Sequence, residues 1–109
     1  MSWIRVTEVE NIPLREGRAV QIGDREIAIF NLGGKFTACD NACPHRGGPL
    51  ADGIVSGANV VCPLHAYRVC LETGNVTKPE VCVKVDTYEV RIESGVVMVD
   101  VEDAEEKAA

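Results

Sequence analysis

Two short stretches hold the residues best suited to chemistry. They are Cys43-Pro44-His45 and Cys62-Pro63-Leu64-His65, with sixteen residues between His45 and Cys62. Each offers one soft thiolate and one imidazole, and together they use both histidines of the 109-residue chain. Two thiolates and two imidazoles form a metal-ligand set. One chemistry that uses it is a two-iron, two-sulfur cluster, with two cysteines on one iron and two histidines on the other. With one ligand of each kind per loop, each iron is tied to both loops and the cluster staples them together. Tetrahedral zinc also accepts two Cys and two His. Zinc fingers, however, pair Cys with Cys and His with His, at other spacings. Pro44 and Pro63 restrict the turn after each cysteine. Imidazoles in place of anionic thiolates make the site less negative, which favours uptake of an electron and raises the potential.

The remaining residues offer no second chemistry. Glu8, Glu10 and the acids from Asp100 to Glu106 show no pairing suited to acid–base catalysis. No GxGxxG or Walker pattern is present, and no Ser/His/Asp set forms once both histidines are assigned. No catalytic residue is expected. Cys39, Cys70 and Cys82 read as small buried or half-buried strand residues. Arg46 and Arg68 flank the ligand stretches, either steering an acidic partner or simply solvated. Pro44, Gly47, Gly48, Pro49, Leu50, Pro63 and Leu64 are expected to rim the exposed edge of the histidines and to serve in docking. Trp3 and Tyr88 read as core or strand-packing residues.

The elements that must position these loops are strands. Short apolar alternations recur between turn residues, and no stretch keeps a helical period with caps. Residues 3–9 read as a first strand, with Trp3, Arg5 and Thr7 on one face and Ile4, Val6 and Glu8 on the other. Residues 19–22 and 26–31 read as strands joined through Gly23-Asp24. Gly33-Gly34 turns the chain into a strand over 35–39. Residues 86–92 and 96–101 flank Ser94-Gly95 as a second hairpin. Between 40 and 75 the chain is rich in Gly, Pro, Asn and Asp. That segment reads as a loop-rich insert with short strands at 59–62 and 67–71, a common way to carry binding residues on a rigid scaffold.

Net charge is −6, and half of it lies in the tail VEDAEEKAA. A mildly acidic body argues against nucleic acid as a partner. No apolar run approaches a membrane span, and MSWIRVTEVEN lacks the pattern of a secretory signal. A cytoplasmic protein is expected, with its five cysteines as ligands or buried thiols rather than disulfides. Residues 1–101 are expected to form one domain, with a cluster-binding subdomain at about 40–75 and an acidic tail at 102–109.

At the two ligand stretches the sequence resembles the Rieske family over almost the whole chain. Within that family it resembles most the small subunit of assimilatory NAD(P)H-dependent nitrite reductase. The stretches CPHRGGPLADGIVSG (43–57), CPLHAYRVCLETGNV (62–76) and VKVDTYEV (83–90) carry this likeness. The resemblance implies an all-β fold, a Rieske-type antiparallel β sandwich or barrel with an inserted loop-rich cluster-binding subdomain. It also implies a Rieske cluster held by Cys43 and Cys62 on the buried iron and His45 and His65 on the exposed one. The partner it implies is a large subunit carrying sirohaem and FAD that reduces nitrite to ammonium in nitrate assimilation. Quinol-oxidising relatives carry extra cysteines at the positions of Gly48 and Leu64, and Tyr67 lies off their tyrosine offset; a low potential is therefore expected. Two other readings stay open. One is a free Rieske ferredoxin serving a ferredoxin reductase and an aromatic-ring dioxygenase. The other is a non-redox structural metal module.

Overall fold

A computed structural model describes residues 3–23, 25–33, 35–41, 49–62, 67–78 and 85–100, with only the backbone of Lys78. Among them lie eleven strands. They are β1 (Trp3–Glu8), β2 (Gly17–Ile22), β3 (Arg25–Asn31), β4 (Phe36–Asp40), β5 (Ile54–Ser56), β6 (Asn59–Val61), β7 (Arg68–Cys70), β8 (Val76–Lys78), β9 (Thr87–Tyr88), β10 (Val90–Glu93) and β11 (Val96–Asp100). Short 3-10 turns occupy Val9–Asn11 and Leu50–Asp52. The strands form three antiparallel sheets, ordered β1-β11-β10, β2-β3-β4-β9 and β5-β6-β7-β8. The expected all-β fold is borne out.

Strand β3 explains the layering. Ile27, Ala28, Ile29 and Phe30 are all fully buried, an unbroken apolar run that suits a strand covered on both faces. Its side chains alternate between two cores. Ile27 and Ile29 pack with Ile12, Val97 and Val99, towards the sheet holding the first and last strands. Ala28 and Phe30 pack with Leu50, Val60 and Val69, towards the sheet β5–β8. The central sheet thus carries a layer on either side. Turn chemistry sets the hairpins. Between paired Glu93 and Val96, Ser94 and Gly95 have φ of 52° and 77°, the positive pair that a tight two-residue hairpin turn requires.

Two expectations change. The segment around 40–75 holds a full four-stranded sheet, because Ile54–Ser56 and Val76–Lys78 pair outside the two expected strands. Strands of three residues are too short to display a full period, and of the four, sequence reading found β6 and β7 but not β5 and β8. In β1 the strict alternation fails: the register against β11 shifts between Arg5 and Thr7, a bulge that reorients the side chains beyond it. Trp3 is half-buried under the Arg91 guanidinium, 4.5 Å from the ring centroid, a cation–π contact.

Candidate metal centre

The first ligand stretch departs from the end of β4. Asp40 there accepts hydrogen bonds from the Tyr88 hydroxyl and from Arg25 Nη1 at 3.3 Å. Arg25 Nη1 also donates to the Tyr88 hydroxyl at 2.9 Å. The next residue, Asn41, is buried, and its backbone N–H donates to the Glu26 carbonyl at 2.9 Å. The chain returns at Pro49 into the 3-10 turn Leu50–Asp52. There the Leu50 N–H donates to the Asn41 carbonyl and the Ala51 N–H to Asn41 Oδ1, both at 2.8 Å. The loop over 42–49 therefore has a closed neck.

The second ligand stretch follows β6. The Cys62 N–H donates to the Tyr67 carbonyl at 2.7 Å, closing a second neck around residues 63–66. The Cys62 side chain is 2% exposed and packs with Leu50, Ala51 and Val60. Gly53 joins the two necks. A Cβ there would collide with the Val61 carbonyl and stand 3.1 Å from the Leu50 carbonyl. Only a glycine lets the returning limb of the first loop lie this close to the strand that launches the second. Cys62 is thus a secluded soft donor at the base of one loop, with the other loop opening beside it. Cys43, His45 and His65 lie outside the described residues.

The other singled-out residues fall as follows. Cys39 is fully buried, and burial, with the Asp40 charge adding to it, pushes its thiol up to about 12. It is an inert core residue. Cys70 is half-buried on β7. Burial raises its thiol, but hydrogen bonds with the Thr73 side chain and with the backbone of Thr73 and Glu72 outweigh that and leave it below the ordinary value. Arg68 is exposed on β7, and Tyr67 packs against the core. Leu50 corrects the expected apolar rim: it is 0% exposed and belongs to the core. Its place in a turn whose N–H is pinned to Asn41 drives the side chain inward. Pro49 is half-buried, and Pro44, Gly47, Gly48, Pro63, Leu64, Arg46 and Cys82 lie outside the described residues. Sequence reading missed Asn41. The signal for Asn41 was an Asp-Asn pair at a strand end, where such side chains bond backbone.

Comparison with known proteins places this architecture. The model of the Rieske [2Fe-2S] domain matches residues 2–89. The chain belongs to the Rieske family. As a Rieske protein it carries a two-iron, two-sulfur cluster and transfers electrons, which sets aside the zinc reading. The chain is 33% identical over 98 residues to the ferredoxin component of a naphthalene 1,2-dioxygenase system from Pseudomonas aeruginosa, covering 90% of this chain and 94% of that protein. It is 35% identical over 107 residues to the 3-phenylpropionate/cinnamic acid dioxygenase ferredoxin subunit of Escherichia coli K12, covering 96% and 99%.

Among solved structures, the Sphingomonas yanoikuyae B1 ferredoxin superposes with a TM-score of 0.83 at 29% identity, covering 91% of this chain and 98% of that one. A putative NADH-dependent nitrite reductase small subunit from Mycobacterium tuberculosis reaches the same TM-score of 0.83 at 24% identity, covering 90% and 93%. That second likeness is one of fold alone. The expected kinship with the nitrite reductase small subunit is therefore corrected. Two of the three stretches that carried it lie around the ligands, and the whole-length identities go to dioxygenase ferredoxins. Ligand loops report the cofactor they bind and say little about the partner. Among the described residues, no helix is long and apolar enough to cross a membrane.

The residues present fit the family's cluster. The candidate donor set is two thiolates and two imidazoles, its described member Cys62 is secluded from water, and the two necks are in contact through Gly53. An apolar bed of Leu50, Ala51 and Val60 lowers the local dielectric, which tunes the potential of a bound metal centre.

Proposed function

We propose that this chain is a free Rieske ferredoxin that delivers single electrons to the oxygenase of an aromatic-ring dioxygenase system. The observation that carries this is identity at 33% and 35% to ferredoxin components of such systems, over at least nine-tenths of both chains in each pair. Cys43 and Cys62 hold one iron and His45 and His65 the other. The cluster, when bound, takes up and releases one electron. The chain's own residues seclude it from water, hold the two loops at a fixed distance and supply no acid, base or nucleophile of their own. Electrons enter from a ferredoxin reductase. The chain is a carrier and makes no bond in a substrate.

The test is a single-turnover transfer. Holoprotein purified without oxygen is reduced with dithionite, freed of reductant and mixed with an oxidised aromatic-ring oxygenase. Reoxidation of one electron per chain, with reduction of the oxygenase, is the expected result. A reduced protein with an intact rhombic spin signal that passes no electron to any member of a panel of such oxygenases overturns the proposal.

A further inference from the structure

Asn41 stands at the mouth of the first ligand loop and is 3% exposed. Each of its polar atoms has a partner. Its backbone N–H donates to the Glu26 carbonyl and its backbone carbonyl accepts from the Leu50 N–H, at 2.9 and 2.8 Å. Its side-chain Nδ2 donates to Glu26 Oε1 at 2.7 Å, and Oδ1 accepts from the Ala51 N–H at 2.8 Å. Glu26 belongs to β3, in the central sheet, while Leu50 and Ala51 open the returning limb of the loop. One planar amide thus ties the departing limb, the returning limb and the sheet behind them. A carboxylate could accept from Ala51 but could not donate to Glu26, and a hydroxyl cannot span both.

We propose that the Asn41 carboxamide is a positioning residue for the cluster. It fixes the width of the first loop's neck, and so the placement of Cys43 and His45 relative to Cys62 and His65. This rests on the ligand assignment proposed above. The physical ground is the narrow tolerance of metal–ligand bonds, about 0.2 Å, set against a neck that without this side chain would be held across its limbs by the Leu50–Asn41 backbone bond. The Asn41–Glu26 side-chain hydrogen bond is part-buried and has a charged acceptor, and such bonds are stronger than neutral ones. The neighbouring Asp40 differs. Its side-chain partners, Tyr88 and Arg25, bind β4 to its flanking strands and leave the returning limb untouched.

The experiment uses holoprotein prepared without oxygen. It follows three readouts: the rate of cluster loss, the midpoint potential and the spin-signal line shape after reduction. Asn41→Ala is expected to lose the cluster about tenfold faster, as loss of one hydrogen bond to a charged group would dictate, and to shift both potential and line shape. Tyr88→Phe is expected to lower thermal stability while leaving potential and line shape unchanged. Asn41→Asp sets two carboxylates together and is expected to release the cluster quickly. Asn41→Asp combined with Glu26→Gln exchanges donor and acceptor and should restore retention. Native potential and line shape in Asn41→Ala, with cluster loss no faster than in Tyr88→Phe, overturn the inference. Should Asn41→Ala fail to fold, equal cluster loss from Asn41→Asp and the double variant overturns it. If the unaltered protein shows no rhombic signal, the ligand assignment itself falls, and this inference with it.

Discussion

Single atoms decide much at Gly17 and Gly53. A Cβ on Gly17 would stand 2.6 Å from Cε1 and 2.8 Å from Cδ1 of Phe30. That ring is wholly enclosed between layers and cannot swing aside. Gly17→Ala should cost about 1–3 kcal/mol of stability by overpacking, measured by urea denaturation. At Gly53 the obstruction is backbone, the Val61 carbonyl, with Val60 Cγ2 at 2.8 Å behind it. Gly53→Ala should push the two necks apart and yield protein with substoichiometric iron and sulfide, read by metal analysis. Cys39 gives a pH prediction. Its thiol titrates near 9.0 when unfolded but is held up to about 12 in the fold. The unfolded chain therefore gains from ionisation first, so the stability contribution is complete below pH 9.0 and falls as pH rises towards about 12. Tyr88, raised by burial and by its bond to Asp40, acts in the same direction from its ordinary 10.0 upward. Cys39→Ala should flatten the alkaline limb of stability against pH, and an unchanged slope would disprove the assignment.

Strand length separates the elements. The central sheet is built on β2 and β3, of six and seven residues, and its fully buried β3 is packed on both faces. The sheet β5–β8 consists of three-residue strands, of which β5 bears an Ile54 that is 73% exposed. Strands so short contribute few ladder bonds, and stability varies across a structure with such local density. With the ligands proposed above, a bound cluster would tie both ligand stretches together and supply what these strands lack. Removal of iron by a chelator should therefore abolish amide protection in β5–β8 while β2–β4 keep theirs, as hydrogen exchange would show. Uniform loss across all sheets would refute the idea. Strand β9 has only two residues, Thr87 and Tyr88, and is secured by the Tyr88 hydroxyl. Tyr88→Phe should cost about 0.5–1.5 kcal/mol, the net worth of the part-buried hydroxyl's bonds to Asp40 and Arg25.

For the molecule as a whole the relevant quantity is the reduction potential. The resemblance sets Gly48 and Leu64 where quinol-oxidising relatives carry cysteines, and the proposed role is that of a ferredoxin. The midpoint should lie near the low end of the Rieske range, about −150 mV. A strongly positive value from a redox titration would contradict the carrier role proposed above. The net charge of −6 adds in the same sense, since a negative protein disfavours a further electron.

Local sequence sufficed for whatever depends on local spacing. The Cys-Pro-His and Cys-Pro-Leu-His stretches named the cofactor. The Gly and Ser-Gly turns marked the hairpins, and the apolar alternations marked the strands over 19–22 and 26–31. Partner choice did not follow from these patterns, because loops that bind one cofactor serve several electron acceptors. Nor could periodicity pair β1 with β11 across the length of the chain, since alternation reports which face is buried but not what buries it. Of the three-residue strands, β5 and β8 left too little pattern to read. Only the folded chain brings Asn41 against Ala51 and Glu26, and Gly53 between two necks. Those contacts join residues whose proximity is set by how the layers pack, a property no local window contains.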